Sequence, residues 1–301
     1  MSAQIRGTLL LDEPMAKHCS WRCGGKAKRY FVPADVADLQ TLLKQLPADE
    51  DILWVGLGSN LLVRDAGFDG TVIATQGVFN QLELSGEKNT VKVGAGVAGA
   101  KLARFCARNQ LSGGEFFAGI PGLVGGALAM NAGAFGGEAW HHVVSVETLD
   151  RAGELHQRTP DEYDIGYRYA QLKNSQQAEW FVSATMQFEK QVDKNSGAVI
   201  DIKQLLAKRA ATQPIGAASC GSVFRNPENE YAARLIESCG LKGKRLGGAV
   251  VSEKHANFIL NDDHASANDI EQLIELVQRL VLEKCGIELR TEVRIVGEKL
   301  S

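Results

Sequence analysis

Two glycine-rich stretches decide how this chain is read. The first is Val55-Gly56-Leu57-Gly58-Ser59-Asn60-Leu61-Leu62, directly after a β-rich run. The second is Gly113-Gly114-Glu115-Phe116-Phe117-Ala118-Gly119-Ile120-Pro121-Gly122-Leu123-Val124-Gly125-Gly126-Ala127, which runs on through Met130-Asn131-Ala132-Gly133-Ala134-Phe135-Gly136-Gly137. Glycine lets a backbone turn with positive φ and approach a ligand closely. Successive N–H groups exposed in this way make an anion-binding concavity. Tight turns without a ligand account for one such cluster. Two of them, with Ser59-Asn60 and Asn131 at hand to bond phosphate, point to a pyrophosphate-containing cofactor. A third cluster, Gly247-Gly248-Ala249, lies near the C-terminus.

Between the first two stretches sits Gly94-Ala95-Gly96-Val97-Ala98-Gly99, which matches G-x-G-x-x-G after a strand and before a helix. A dinucleotide fold then needs a second apolar strand ending in an acid about 20 residues on. Glu115 has the spacing, but Asn109-Gln110-Leu111-Ser112-Gly113-Gly114 before it reads as a turn, so the match is a decoy. No G-x-x-x-x-G-K-[ST] is present, which excludes P-loop chemistry.

Working outward, the chain has 301 residues, 45% of them hydrophobic and 23% charged. That composition excludes disorder, collagen and coiled coil, and the length suggests two domains. The net charge of -3 argues against a broad phosphate-backbone footprint and so against nucleic acid as a partner. The N-terminal apolar run Thr8-Leu9-Leu10-Leu11 stops at Asp12, too short for a signal peptide. No stretch approaches ~18 apolar residues, so the expectation is a cytoplasmic protein with no membrane span. The 6 cysteines are scattered and expected to be reduced thiols. Cys19 and Cys23 find no Cys/His pair elsewhere to complete a metal site.

Helix signals follow Asp35 (Val36, Leu39, Leu42, Leu43, Leu46), recur at Leu102-Phe105-Cys106 and at Ile202-Leu205-Leu206, and appear at Ala232-Leu235-Ile236-Cys239 before Gly240. Ser266 with Asp269 resembles a capping box ahead of Ile270, Leu273, Ile274, Val277, Leu280 and Val281, with Gly286 as the stop. Short β-rich runs include 52–55, 71–74, 91–93, 143–146, 181–184 and 258–260. They do not alternate regularly with helices, which predicts an α+β fold. The polar stretch Glu189–Gly197 is the expected boundary between residues 1–195 and 196–301.

Three polar residues carry little on their own. Ser222, after Gly221, has no acid or histidine nearby for a hydrolase triad. Arg168 lies between Tyr167 and Tyr169, as stacked or paired arginines do. Glu292 falls in Leu289–Ile295, which reads as an alternating strand with Arg290, Glu292 and Arg294 on one face.

In order and spacing, the segments Trp21–Gly25, Gly56–Val63, Gly119–Gly136, Gly166-Tyr167-Arg168, Gly221–Pro227, Leu241-Lys242-Gly243 with Gly247-Gly248-Ala249, Ser252–Phe258 and Glu292-Val293-Arg294 resemble the UDP-N-acetylenolpyruvoylglucosamine reductase family, the MurB flavoenzymes. The short stretch between Pro227 and Leu241 resembles the family's shorter class.

The resemblance implies an FAD-binding fold of the vanillyl-alcohol-oxidase type, in two subdomains, followed by a C-terminal α+β substrate domain. It implies reduction of UDP-N-acetylglucosamine enolpyruvate to UDP-N-acetylmuramate by NADPH, a step of peptidoglycan precursor synthesis. The FAD is expected to be noncovalent, because neither glycine loop carries a His or Cys. Cofactor contacts are implied for Gly56, Gly58, Ser59, Asn60, Leu61, Gly119, Ile120, Pro121, Gly122, Gly125, Gly126, Asn131 and Gly133. Substrate contacts are implied for Tyr167, Asn226, Lys242 and His255, the last at a position where some relatives carry glutamine. Arg168 would grip the substrate carboxylate, a protonated Glu292 would donate to the same group, and Ser222 would protonate C2. No obligate protein partner is implied. Tyr169-Ala170-Gln171-Leu172 and Leu123 depart from the family pattern. The alternatives are another FAD oxidoreductase of this fold acting on a small hydroxy acid, and a flavin-binding module without catalysis.

Overall fold

A computed structural model describes residues 4–86, 89–173, 178–190 and 202–299. The strands Leu155–Arg158, Val143–Asp150, Glu179–Gln187, Thr90–Gly94 and Leu82–Leu84 form a five-stranded sheet in that order. Every neighbouring pair in it is antiparallel. A four-stranded sheet orders Thr8–Pro14, Lys26–Val32, Phe68–Ala74 and Ile52–Val55. An antiparallel five-stranded sheet with helices set apart from it is the α+β arrangement that the irregular spacing of strands predicts.

The chain forms two compact units, each discontinuous in sequence. One comprises Met1–Leu9, Phe31–Gly56 and Val72–Lys208; the other comprises Leu10–Tyr30, Leu57–Thr71 and Arg209–Ser301. The break expected near residue 195 lies outside the described residues. Leu10–Tyr30 and Leu57–Thr71, assigned from sequence to the first 195 residues, instead join the C-terminal unit. The reason is burial: Trp21 and Leu62 are fully buried in that unit's core, and the Trp21 indole N–H donates to Ile259 O at 2.8 Å.

In the first unit the helices Gly99–Arg108 and Val124–Ala129 bury Leu102, Cys106, Val124 and Leu128 with Val91, Val93, Ala184 and Met186 of the five-stranded sheet. The helix Val36–Gln45 starts at Asp35, whose carboxylate accepts from Asp38 N at 2.9 Å, and buries Leu39, Leu42 and Leu43 with Phe31 and Ile73. The decoy glycines are filled by the chain itself. A Cβ at Gly96 would stand 1.6 Å from Val78 O, and one at Gly94 would stand 1.8 Å from Phe79 O. Their missing side chains admit neighbouring backbone, so no room remains there for a pyrophosphate.

The second unit is built on the helix Ala267–Cys285, which turns Ile270, Leu273, Ile274, Val277 and Val281 onto a core with Leu62, Phe224, Ile236 and Val251. The strands Arg245–Leu246, Ala249–Val251 and Ile259–Asn261 form a small antiparallel sheet, while Leu61–Val63 pairs in parallel with Arg294–Val296. Gly247 and Gly248 are packing glycines here: added Cβ atoms would meet the Asp269 carboxylate at 2.3 Å and Asp263 O at 2.1 Å.

The capping box predicted at Ser266 is present. Its hydroxyl accepts from Asp269 N at 3.0 Å, and the Asp269 carboxylate accepts from Ser266 N at 3.0 Å. Asp65 takes the next two donors, Ala267 N at 3.0 Å and Asn268 N at 2.8 Å. Gly286 ends the helix with φ +69°, as its left-handed cap requires. Replacing Ser266 with alanine removes one cap bond and is expected to lower stability by about 1 kcal/mol. The shift in urea denaturation midpoint measures it, and Ser266→Thr should recover most of the loss.

Candidate active site

Gly58 begins the site in the second unit. Its φ is +58°, and a Cβ there would stand 2.1 Å from His18 O, so only glycine fits. The carbonyls flanking Ser59-Asn60 are tied down: Gly58 O accepts from Ser20 N at 3.0 Å and from the Cys220 thiol at 3.4 Å, and Leu61 O accepts from the same thiol at 3.3 Å. Burial raises the Cys220 thiol to about 12, so it stays protonated and able to donate. The Asn60 amide, offered to phosphate by the sequence, donates to Glu292 O at 3.0 Å. Asn60 O in turn accepts from Arg294 N at 3.1 Å.

The Ser222 segment is clamped from two sides. On one, the buried Asn257 reads both edges of the chain: Val223 N donates to Asn257 O at 2.9 Å, Phe224 N to Asn257 Oδ1 at 2.9 Å, and Asn257 Nδ2 to Phe224 O at 2.8 Å. On the other, Glu292 N donates to Val223 O at 2.8 Å and Arg225 N to Arg290 O at 2.9 Å. Gly221, at φ +72°, turns the chain into this clamp. The result seats Ser222, Glu292 and Asn60 on directly hydrogen-bonded segments, although they stand far apart in sequence. The alternating strand expected over 289–295 is shorter, Arg294–Val296. Residues 290–293 spend their backbone groups on Val223 and Arg225, with Thr291 bridging Phe224, so the ladder begins only at Arg294.

Asn226 Oδ1 accepts from Ala232 N at 3.1 Å and so caps the helix Ala232–Ser238. That helix carries Glu237, whose carboxylate meets Lys242 Nζ at 3.1 Å. Exposed pairs of this kind hold weakly, so Lys242 can exchange its partner for a diphosphate at small cost. His255 packs edge-on against Phe258 at 4.8 Å. Burial holds its ring below the usual histidine range; its own backbone and Glu237 oppose this, and Lys242 adds to it. The imidazole is therefore neutral near pH 7, and its buried Nδ1 has no hydrogen-bond partner among the described residues.

In the first unit, Gly56 of the first glycine stretch and the glycines of the second divide by use. Gly56, Gly119 and Gly125 are close-packed: added Cβ atoms would meet Leu123 at 3.0 Å, Phe135 at 2.6 Å and Ala95 at 2.9 Å. The N–H groups of Val124 and Gly125 are bonded to Val97 O at 2.8 Å and Ala95 O at 2.9 Å. Gly126 is different. It is exposed, and a Cβ there would meet nothing within 4 Å, so the backbone lies open to a closely approaching group. Ile120 and Pro121 lead into Gly122, whose φ of +142° makes the turn before the helix. Arg168 occupies the tip of the hairpin Tyr163–Gly166/Tyr169–Leu172. Its φ is +65°, its guanidinium lies 4.9 Å from the Tyr167 ring centre, and its Nη2 donates to Gly133 O at 3.3 Å. Asn131, expected at phosphate, directs both amide hydrogens to protein acceptors, Glu138 Oε2 at 2.9 Å and Gly166 O at 3.2 Å.

Residues 27–158 match a family model described as an FAD binding domain, and residues 213–296 match the C-terminal domain of UDP-N-acetylenolpyruvoylglucosamine reductase. A UDP-N-acetylenolpyruvoylglucosamine reductase of Legionella pneumophila strain Lens is 53% identical over 296 residues, covering 98% of this chain and 94% of its own. The chain belongs to the UDP-N-acetylenolpyruvoylglucosamine reductase family. Another member, from Alkalilimnicola ehrlichii, is 53% identical over 304 residues and covers 100% of both chains. The crystal structure of the Thermus caldophilus reductase (MurB) aligns with a TM-score of 0.77 at 31% identity, covering 96% of this chain and 98% of that one. The α+β fold with an FAD-binding region ahead of a C-terminal reductase domain is thus found as expected.

Within the second unit the structure brings together Gly58, Asn60, Leu61, Ser222 and Glu292. In the first unit it brings Arg168, Asn131 and Gly133 together. Sequence reasoning passed over Asn257, Cys220 and Glu138 as site-forming residues; Asn257 lay inside a quoted motif but carried no sign of its long-range partner.

Two outcomes follow from this geometry. Asn257→Leu leaves the buried N–H and C=O of Phe224 without partners and should cost roughly 1–3 kcal/mol for each group, read from urea denaturation. For His255 the sign runs with burial. The unfolded ring, with a pKa of about 6.5, binds protons before the native one does, so stability falls on acidification from about pH 7.5 to 5.5. His142, also held low by burial, contributes in the same direction. His255→Gln should therefore lessen, without abolishing, the loss of denaturation midpoint over that range.

Proposed function

We propose that this chain reduces UDP-N-acetylglucosamine enolpyruvate to UDP-N-acetylmuramate with NADPH as reductant, as the names of its relatives indicate. The observation that carries the site assignment is the hydrogen-bonded junction of the Asn60, Ser222–Asn226 and Arg290–Val293 segments. FAD, held noncovalently, supplies the hydride relay between NADPH and the enolpyruvyl carbon. In the first unit the open backbone at Gly126, which follows Pro121 and Gly122 in the chain, supports its binding; in the second unit the tied-down Gly58–Leu61 loop, with Ser59, does so.

The protein residues answer the charge that hydride addition creates. As hydride arrives at C3, negative charge moves onto the substrate carboxylate. Arg168 presents a fork of N–H donors suited to such oxygens, and Glu292, when protonated, donates to the same group. Ser222 delivers the proton to C2. Its hydroxyl is a weak acid, so placement does most of the work, and the double clamp on Val223 and Phe224 supports that placement. Lys242, Asn226, His255 and Tyr167 hold the UDP-sugar. The 6 free cysteines support a reducing compartment, the cytoplasm. Among the described residues no helix is long and apolar enough to cross a membrane.

The two half-reactions separate these roles. Reduction by NADPH needs no proton at C2, so Ser222→Ala is expected to bind FAD and be reduced normally. Its reoxidation by the enolpyruvyl substrate should be slower by ~10²–10⁴-fold. Stopped-flow absorbance of each half-reaction reads both steps. Normal reoxidation would remove Ser222 as the donor, and equal slowing of both halves would mean general damage to the fold.

A further inference from the structure

We infer that Asn131 is a positioning residue for Arg168, an inference that rests on Arg168 gripping the substrate carboxylate. Asn131 is buried, at 1% exposure, and its backbone takes φ +39°, a conformation that asparagine tolerates. Its amide carries two hydrogens, and each has its own acceptor: Glu138 Oε2 at 2.9 Å and Gly166 O at 3.2 Å. Its Oδ1 accepts from Trp140 N at 3.2 Å. Both donors that could bond a phosphate are therefore committed to the protein.

The two acceptors belong to different hairpins. Glu138 pairs with Gly133 in the hairpin Gly133–Ala134/Gly137–Glu138. Gly166 pairs with Tyr169 and closes the two-residue turn that carries Arg168. The Arg168 guanidinium reaches back from that turn to Gly133 O at 3.3 Å. The Asn131 side chain thus joins the base of the arginine's turn to the hairpin on which its guanidinium rests. Loosening that tie lets the turn move relative to Gly133 O, and the guanidinium fork loses its fixed plane. A misplacement of about 1 Å in a group that orients a reacting centre can cost ~10²-fold in rate.

The choice of side chain is narrow. Aspartate has the same shape but neither donor, and would set a carboxylate against Glu138 and against Gly166 O. Leucine would supply a hydrogen to neither acceptor. Only a primary amide of this length supplies two donors and an acceptor without a charge.

The test uses the FAD-loaded enzyme. Asn131→Asp is the primary variant. Asn131→Asp combined with Glu138→Gln removes the charge opposition and restores one bond, which guards against simple misfolding. Arg168→Ala is measured beside them. FAD affinity is read by fluorescence titration of the deflavinated protein, and each half-reaction by stopped flow. The expected result is unchanged FAD affinity and unchanged reduction by NADPH, with reoxidation by the substrate slowed by ~10²-fold in Asn131→Asp and less in the double variant. Adding Asn131→Asp to Arg168→Ala should slow reoxidation no further, because both act through one group.

Weakened FAD binding with normal reoxidation would make Asn131 a cofactor residue and overturn the inference. Equal slowing of both half-reactions would overturn it in favour of a purely structural role. Normal behaviour in Asn131→Asp beside a slow Arg168→Ala would overturn the positioning role alone. Normal reoxidation in Arg168→Ala would remove the role of Arg168 itself, and the inference with it.

Discussion

The hydrogen bonds exchanged between residues 223–225 and 290–293 are the constraint on which the C-terminal half of the site depends. Glu292 N on Val223 O and Arg225 N on Arg290 O are backbone contacts, so they fix the course of the chain whatever side chains the two segments carry. They bring a serine hydroxyl and a carboxylate onto adjacent segments without using either functional group. A backbone carbonyl is used again at Asn60, whose amide donates to Glu292 O. Backbone bonds of this kind hold a segment in place whatever its side chains do, which is how a site can be rigid without depending on its functional groups for that rigidity.

Glycine serves two opposed ends in this chain. At Gly58, Gly94, Gly96 and Gly125 the missing Cβ admits a neighbouring protein atom, and at Gly126 it leaves open space. Sequence cannot separate these uses, since the gain in each case is the same absence of a side chain. That explains why Gly94–Gly99 mimics a dinucleotide loop so well. Its glycines are needed for the approach of Val78 and Phe79, and a ligand cannot enter where backbone already lies.

What the sequence made legible was local. Asp35 and Ser266 as caps, Gly286 as a stop, and the β-rich runs at 52–55, 143–146 and 181–184 all depend on residues within a turn or two of one another. The order of motifs added the family and its fold. What stayed hidden was pairing at long range. The strand expected across 289–295 begins late because Val223 and Arg225, more than sixty residues earlier, claim its first backbone groups. The discontinuous second unit is hidden for the same reason: nothing near Trp21 announces that its indole will meet Ile259.

Asparagine is the residue through which much of this long-range pairing is made. Asn60 reaches Glu292, Asn257 reaches Phe224, Asn131 reaches Gly166, and Asn261 donates to Trp21 O at 2.8 Å while accepting from Ala265 N at 2.7 Å. A primary amide can both donate and accept, so it satisfies two edges of a foreign backbone segment at once. Being uncharged, it can be buried for much less than a carboxylate or an ammonium would cost. A charged clamp would also lay a permanent field across a site whose chemistry depends on charge developing on the substrate. Neutral amides hold the segments in place without adding such a field.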